Sequence, residues 1–182
     1  MSFSRFKAFA FMGSACTAAA LLASTAAFAA SSSTHTASPA QSARASAELR
    51  SAMAAQLRFN PSGKVINSNQ ISYDHGNVVV TVAVPGVTPA FTCPSGTMCL
   101  WKEPNLRGSW ASIKSPIQTP IRISQYLPLV QSVHNLRSTG SIIQSDTAAT
   151  HTACYPSGAR ANNVGLPVSD WPYLWLQKTN NC

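Results

Sequence analysis

One stretch decides the fold of this chain: Cys93-Pro-Ser-Gly-Thr-Met-Cys99-Leu-Trp101-Lys-Glu-Pro-Asn-Leu-Arg-Gly108-Ser-Trp110. Two cysteines close a short loop, and an apolar pair leads out of it into a turn-forming Glu-Pro-Asn. The pattern predicts a strand, a tight folded-over hairpin and a second strand that carries Trp110. Because Gly108 reaches a positive φ that other residues adopt only at a cost, we expect Trp101 to cover the folded hairpin.

The spacing of an aromatic residue, six others and a glycine, here Trp101 and Gly108, resembles the Greek-key signature of β/γ-crystallins. Ser132 stands where that signature has the serine that ties down the hairpin. With the Cys-Pro-Ser-Gly-x-x-Cys loop, Ser-Val-x-Asn and an export signal, the chain resembles the secreted actinobacterial metallopeptidase-inhibitor family. The resemblance, from Phe91 to about Arg137, implies an all-β fold: a β/γ-crystallin-like Greek-key β-sandwich, here preceded by a β-hairpin and a short helix.

Residues 1–29 have the three regions of a secretory signal peptide. Basic residues near the start precede an apolar run over residues 8–23, and Ala27-Phe-Ala29 is an A-x-A cleavage pattern. The run is weakly apolar and ends in small residues, which disfavours a membrane anchor. A lipoprotein cleaved before Cys16 is the alternative, but Gly13 stands where such signals have leucine. We therefore expect a secreted, extracellular protein.

Cysteine count and charge describe the chain that remains after cleavage. Two of the 13 Lys and Arg lie in the signal peptide, so 11 remain against 5 Asp and Glu, a net charge of +6. The even count of four cysteines in an exported chain favours two disulfides over free thiols or zinc. Cys93–Cys99 is the local pair, and Cys154–Cys182 is left to pin the C-terminus. The basic residues form no run and no basic–aromatic motif, which disfavours nucleic-acid binding.

The region before the main domain combines low-complexity sequence with one helical pattern. Residues 31–45 are mostly Ser, Thr, Ala, Gln and Pro without apolar periodicity, which predicts a disordered tether or a pro-segment. Leu49, Met53 and Leu57 recur every fourth position and predict a short amphipathic helix over residues 46–59. The chain thus divides into a signal peptide (1–29), a flexible tether with a short helix (30–60), a β-hairpin extension (61–90) and a crystallin-like domain (91–182).

The extension from Gly63 to Pro85 has the pattern of a single hairpin. A weakly alternating segment ends at Tyr73, the turn sequence Asp74-His-Gly-Asn77 follows, and the strongly β-forming run begins at Val78. We expect this hairpin to extend or cover a sheet edge. Asp74 next to His75 resembles an acid–base pair, but turn formation explains both residues more simply.

The second half of the main domain is less regular. Residues 121–127 alternate as a strand or an ordered connection, residues 141–144 predict a strand, and residues 171–176 are apolar enough for the core. Asn162 lies seven residues after Tyr155, where a second signature of the same kind would have glycine. The second Greek key is therefore degenerate or only analogous.

Metal and enzyme chemistry find little support. Crystallin-type calcium sites need oxygen donors, which the sequence Leu127-Pro-Leu-Val-Gln-Ser132 lacks. His151-x-x-Cys154 has a spacing that zinc accepts, but a disulfide is the simpler fate of that cysteine in an exported protein. There is no Gly-x-Ser-x-Gly or His-Glu-x-x-His motif, and the carboxylates are scattered. We expect no metal, no cofactor and no enzymatic activity.

The resemblance implies a monomeric inhibitor of a secreted zinc metallopeptidase of the thermolysin type. A rigid loop anchored by a disulfide enters a protease cleft with little conformational entropy left to lose. The candidate contacts are apolar residues beside half-cystines: Tyr155 after Cys154, and Met98 and Leu100 on either side of Cys99. Leu100 is equally suited to the core.

Two other functions stay open. The even basic surface suits a crystallin-type extracellular binding or toxin-like module that acts on a microbial cell wall or membrane, without stable membrane insertion once the signal peptide is removed. The third possibility is a stable extracellular domain that has kept the family's fold without its inhibitory activity.

Overall fold

The described part of the chain folds into two β-sheets that are preceded by one long helix. The computed structural model describes residues 39–84, 92–114, 120–144, 152–164 and 173–180, all within one compact unit, Ala37–Cys182. Within these ranges lie helix α1 (Pro39–Phe59) and strands β1 (Lys64–Asn67), β2 (Gln70–Tyr73), β3 (Val78–Thr81), β4 (Thr97–Glu103), β5 (Arg107–Lys114), β6 (Ile121–Arg122), β7 (Ser132–Asn135), β8 (Ser141–Gln144), β9 (Thr152–Tyr155), β10 (Arg160–Ala161) and β11 (Tyr173–Leu176).

The strands form a seven-stranded and a four-stranded sheet. The larger sheet has the order β1-β2-β3-β5-β4-β7-β10, and the smaller has the order β6-β11-β8-β9. Every pairing between neighbours in these two sheets is antiparallel. The all-β class predicted from the sequence is confirmed at this level, with two antiparallel sheets and one helix.

Strands β4–β7 and β8–β11 form two successive four-strand units that exchange one strand. In the first unit β4, β5 and β7 share the seven-stranded sheet, whereas the third strand, β6, pairs with β11 in the other sheet. In the second unit β8, β9 and β11 share the four-stranded sheet, whereas β10 pairs with β7. Each unit therefore contributes to both sheets, so neither sheet forms from one unit alone.

Side chains from both sheets meet in one apolar core. Met98 and Ile113 come from the larger sheet and Ile143 and Leu174 from the smaller one, and all four are buried. Full burial of a side chain of this size contributes about 1.5–3 kcal/mol. The packing of the two sheets is thus an apolar interaction between their facing sides.

Helix α1 begins earlier than its apolar spacing predicts. The predicted start was Ser46, whereas the helix begins at Pro39, inside the segment predicted to be a disordered tether. This is a correction with a simple cause: proline is well tolerated in the first helical turn, and the alanines that follow are strong helix formers.

The same helix packs against the β-sheets. Met53 is buried in the main core, with Leu49 and Leu57 partly buried beside it. The Gln56 side-chain nitrogen donates to the carbonyl oxygen of Tyr126 at 3.0 Å. Most of the stability of a helix in a protein comes from the packing of its apolar face, so these contacts hold it in place.

The predicted hairpin around Asp74–Asn77 is present as β2 and β3, and the extension has β1 as a further strand. The chain turns once more between β1 and β2, where the Asn67 side-chain oxygen accepts from the backbone nitrogen of Asn69 at 3.0 Å. Asparagine favours such turns because its side chain reaches the backbone two residues on. Strand β3 then pairs with β5, Val80 opposite Ala111, so the extension continues the edge of the larger sheet.

In the second half of the main domain, the strands agree with the sequence pattern except at a few positions. Residues 121–127 form the two-residue strand β6 and a short 3₁₀ turn over Ile123–Gln125. The strand predicted over residues 141–144 is β8. Of the predicted core segment, β11 begins at Tyr173 and buries Leu174 and Leu176, while residues 171–172 lie outside the described ranges.

The predicted signal peptide and the start of the tether, residues 1–38, also lie outside the described residues. In the part of the chain that the structure describes, no helix combines the length and apolar character needed to cross a membrane.

Candidate functional site

The cysteine loop and the first hairpin form a small buried cluster on one face of the larger sheet. Cys93 and Cys99 are joined by a disulfide, with their Cα atoms 6.1 Å apart. Both half-cystines are buried, and they pack with Trp101 and Trp110. The two indole rings stack with their centroids 6.2 Å apart. This cluster covers the face of β4 and β5 that does not contact the other sheet.

The fold-over between β4 and β5 depends on backbone conformations that are rare for side-chain-bearing residues. Asn105 and Leu106 both have φ of 59°, and Gly108 has φ of 72°. Left-handed conformations of this kind cost an L-residue roughly 1–2 kcal/mol. A Cβ atom at Gly108 would also lie 2.6 Å from a carboxylate oxygen of Glu103.

Ser132 holds this fold-over from the neighbouring strand β7. Its hydroxyl donates to the carbonyl oxygen of Glu103 at 2.6 Å and accepts from the backbone nitrogen of Leu106 at 2.9 Å. The side chain is fully buried. The structure therefore brings together Trp101, Gly108 and Ser132, the three residues of the predicted hairpin motif.

Met98 and Leu100 are core residues, which corrects their prediction as contacts for a partner. Both have a relative exposure of 0%, and both belong to the core between the sheets. Side chains alternate between the two faces of a strand. Because Cys99 and Trp101 face the small cluster, Met98 and Leu100 face the sandwich core and are inaccessible to another protein.

Tyr155 ends strand β9, which is one of the two edge strands of the smaller sheet as far as the structure describes it. The strand pairs with β8 on one side, Tyr155 opposite Ser141. Exposure alternates along it: Thr152 and Cys154 face solvent, and Ala153 and Tyr155 are half-buried. Burial raises the pKa of the Tyr155 phenol. Of the three predicted contact residues, Tyr155 is the one that stays accessible.

Cys154 provides a covalent anchor beside Tyr155. Its sulfur is disulfide-bonded although the residue itself is exposed. Cys182, the partner predicted from the cysteine count, lies outside the described residues, so the pairing Cys154–Cys182 stays a prediction.

Asn135 is a residue of this region to which the sequence assigned no role beyond its place in Ser-Val-x-Asn. It is fully buried at the end of β7. Its side-chain nitrogen donates to the carbonyl oxygens of Tyr155 at 2.8 Å and Pro156 at 3.1 Å. The signal in the sequence is an asparagine at the end of an apolar strand, since asparagine is depleted in strands. Such a residue indicates a side-chain amide with a specific hydrogen-bonding role, because a buried amide needs partners.

The turn predicted at Asp74 and His75 lies in a groove at the extension. His75 Nδ1 is 4.0 Å from the Asp74 carboxylate, and the His75 side chain is 99% exposed. Both residues have positive φ, 48° and 54°. The groove has a volume of about 740 Å³ and is lined by Ser62, Lys64, Ile66, Ser72, Tyr73, Asp74, His75, Gly76 and Tyr126.

His134 lies on strand β7, between β4 and β10, and is half-buried. It stands opposite Cys99 on one side and Arg160 on the other. Burial and then the charge of Arg160 lower the pKa of His134 from 6.5. Within the described ranges, no three His, Cys, Asp or Glu side chains are grouped as metal ligands.

The comparison with known families falls on this part of the chain. Residues 87–155 match the family model of peptidase inhibitor family I36. The matched segment runs from just before the cysteine loop, through the hairpin and Ser132, to the end of β9. The suspected resemblance to a peptidase-inhibitor family is thereby confirmed for this segment. No curated protein and no solved structure matches the chain.

Proposed function

We propose that this protein is a secreted inhibitor of zinc metallopeptidases of the thermolysin type, and that strand β9 with Tyr155 makes the contact. The observation that carries the proposal is the family match over residues 87–155, which ends on the accessible half-cystine Cys154 and its neighbour Tyr155. The peptidase is the partner, and a monomer is sufficient for this contact.

Strand addition is the physical basis of the contact. Among the strands that the structure describes, β9 is the last of the smaller sheet, so its outer backbone groups face away from β8. An extended segment of one protein pairs readily with such an edge, and alternate side chains then give the specificity. Thr152 and Cys154 point to solvent, while Tyr155 packs in part against the main core and leaves the rest of its surface accessible at the end of the strand.

Rigidity supports inhibition rather than transient binding. The disulfide at Cys154 and the hydrogen bonds of Asn135 to Tyr155 and Pro156 hold this segment before any partner arrives. A pre-organised segment loses little conformational entropy on binding, and affinity rises accordingly. Proline after Tyr155 restricts φ further.

The metallopeptidase class rests on the resemblance of the hairpin motif and its surroundings to the secreted inhibitor family. In this mechanism the backbone carbonyl of Cys154 approaches the zinc of the peptidase, and Tyr155 fills the adjoining specificity pocket. Export is supported by the disulfide chemistry, because such bonds persist in oxidising compartments.

The proposed fold is that of a β/γ-crystallin-like pair of Greek keys. Two features support it: the third strand of each four-strand unit pairs in the other sheet, and Ser132 ties down the fold-over between Trp101 and Gly108. In this interpretation β4–β7 and β8–β11 are the two keys, the second lacking the glycine of the first.

The class of target is tested by comparing enzymes. The oxidised chain without residues 1–29 is incubated with a thermolysin-type metallopeptidase and, separately, with a serine peptidase. We expect inhibition of the metallopeptidase alone. Inhibition of the serine peptidase alone would assign the protein to another inhibitor class, and retention on purified cell walls at low salt without inhibition would favour the binding-module function.

The contact is tested by Tyr155→Ala. We expect a loss of inhibitory affinity of about 30-fold or more, the size typical of an interface hot spot. Phe59→Ala is the matched control, because Phe59 is an aromatic side chain that is 47% exposed at the end of helix α1. An equal effect of both substitutions would contradict the assignment of Tyr155.

A further inference from the structure

The buried Asn135 side chain is hydrogen-bonded on both of its ends. Its nitrogen donates to the carbonyl oxygens of Thr139 at 2.9 Å, Tyr155 at 2.8 Å and Pro156 at 3.1 Å. Its oxygen accepts from the backbone nitrogen of Arg137 at 3.2 Å. Because the three carbonyls only accept and the Arg137 amide only donates, these partners define the orientation of the amide group.

The backbone around Asn135 holds the same segment a second time. Its nitrogen donates to the carbonyl oxygen of Ala159, and its own carbonyl accepts from the nitrogen of Gly158, both at 2.8 Å. The hydroxyl of Ser157 donates to the carbonyl oxygen of Arg137 at 2.7 Å. Residues 155–159 are therefore bonded at five atoms to the two residues Asn135 and Arg137.

Asn135 itself rests on the rigid cysteine loop. It pairs with Met98 across β4 and β7, and the next residue, Leu136, donates its backbone nitrogen to the carbonyl of Thr97 at 2.9 Å. The disulfide Cys93–Cys99 closes this same loop. Covalent and hydrogen bonds thus connect the first disulfide through Asn135 to the segment that follows Cys154.

From this geometry we propose that Asn135 is the positioning residue of the inhibitory segment. It holds the carbonyl groups of Tyr155 and Pro156 in the conformation that the peptidase binds. The inference rests on the proposed function, because it takes Cys154 and Tyr155 as the contact. It adds a buried residue that never touches the peptidase and yet determines how tightly and for how long the segment is bound.

The same clamp also acts if the peptidase cuts the segment. Hydrolysis between Cys154 and Tyr155 consumes one water and leaves the Cys154 carboxylate and the Tyr155 ammonium group. The Asn135 side chain keeps the new N-terminus at Tyr155 in place by its hydrogen bond to the Tyr155 carbonyl oxygen. The disulfide keeps Cys154 in place. The two ends stay together in the cleft, so release is slow and the inhibitor is not consumed as an ordinary substrate.

The test compares two buried hydrogen-bonding residues of the same strand. Asn135→Ala removes the side-chain bonds to the carbonyl oxygens of Tyr155 and Pro156 and leaves the backbone bonds in place. Ser132→Ala removes the side-chain bonds to the other hairpin, at Glu103 and Leu106. Both variants are prepared as the full oxidised chain without its signal peptide. Three quantities are measured well below the lowest unfolding temperature: the inhibition constant, the rate of cleavage after Cys154, and amide hydrogen exchange at Gly158 and Ala159.

We expect Asn135→Ala to raise the inhibition constant about ten- to a hundredfold, the effect of losing one or two buried hydrogen bonds. Cleavage after Cys154 and exchange at Gly158 should both accelerate. In Ser132→Ala all three quantities should stay within about threefold of the wild type. Equal inhibition constants and cleavage rates for the two variants would overturn the proposal, whatever their loss of stability.

A second variant and the exchange data keep the test decisive. If Asn135→Ala does not fold, Ser157→Ala replaces it, because Ser157 is exposed and its hydroxyl ties the same segment to the carbonyl oxygen of Arg137. We expect a smaller rise of the inhibition constant in the same direction, and no rise would overturn the proposal. If the wild type itself does not inhibit, the proposed function fails, while hydrogen exchange still shows whether Asn135 orders residues 155–159.

Discussion

The hydroxyl of Ser132 lies 2.6 Å from the carbonyl oxygen of Glu103, a residue 29 positions earlier in the chain. The same hydroxyl accepts a hydrogen bond from the backbone nitrogen of Leu106, a residue whose φ is 59°. One buried side chain therefore holds the corner of a hairpin that carries strained backbone. The small tryptophan cluster beneath that corner depends on it.

Ser132→Ala should lower the free energy of unfolding by about 1–3 kcal/mol, because it leaves two backbone groups of a partly buried hydrogen-bond pair without their partner. Chemical denaturation of the oxidised chain measures the change. Ser138→Ala is the control, since Ser138 is exposed and its loss should change stability by less than about 0.5 kcal/mol. Similar values for the two variants would contradict the role given to Ser132.

His75→Gly should stabilise the protein by about 0.5–1 kcal/mol. His75 has φ of 54° and a side chain that is 99% exposed, so glycine removes the strain of a left-handed residue without loss of packing. The larger conformational entropy of glycine in the unfolded chain offsets part of this gain. The midpoint of urea unfolding reports the gain. His75→Ala keeps a Cβ atom and should give no gain; equal gains would assign the effect to the imidazole instead of the backbone.

Met53→Ala should destabilise the protein by about 2–5 kcal/mol, the range for truncation of a buried methionine. Met53 is 7% exposed and packs into the main core, so the helix is part of the folded unit and not a loose linker. Thermal unfolding measures the loss. Arg50→Ala, on the exposed side of the helix, should stay within about 0.5 kcal/mol, and a silent Met53→Ala would show that the helix does not dock in solution.

The free energy of unfolding should decrease at acidic pH, in part because of His134. Burial and the charge of Arg160 lower the pKa of His134 from 6.5, so the unfolded chain binds this proton more readily than the folded protein. The contribution is complete above pH 6.5 and is lost as the pH falls through the lower pKa of the folded state.

The check is the free energy of unfolding measured from pH 7.5 to pH 4.5. His134→Gln should flatten the curve below pH 6.5, and Arg160→Gln should flatten it in part, because it removes the second cause of the lowered pKa. An unchanged curve in His134→Gln would contradict the account.

Local patterns predicted the hairpin well because its determinants are close in sequence. The turn residues, the Trp101–Gly108 spacing and the Cys93–Cys99 loop all lie within one short segment, and Ser132 was found through the resemblance. The strand exchange between the two units is different. It depends on which of the two sheets each strand joins. The strands β6 and β10 have only two residues each, which is too short for a periodic pattern to reveal their sheet.

The burial of Met98 and Leu100 was missed for a physical reason. Residues 97–101 are buried on both faces of β4, one face by the tryptophan cluster and the other by the second sheet. A strand covered on both sides has no polar alternation to tell the faces apart. The hydrogen-bonding role of Asn135 was also missed. Its carbonyl partners include Tyr155 and Pro156, which come close to it only in the folded protein.

The central claim is inhibition through strand β9 and its last residue, Tyr155, and titration of a thermolysin-type peptidase tests it most directly. Increasing amounts of the oxidised chain are added to a fixed concentration of active peptidase, and residual activity is recorded. We predict a linear fall that ends at one inhibitor per enzyme, and a shallow curve with Tyr155→Ala. Full peptidase activity at a molar excess of intact, oxidised protein would contradict the account.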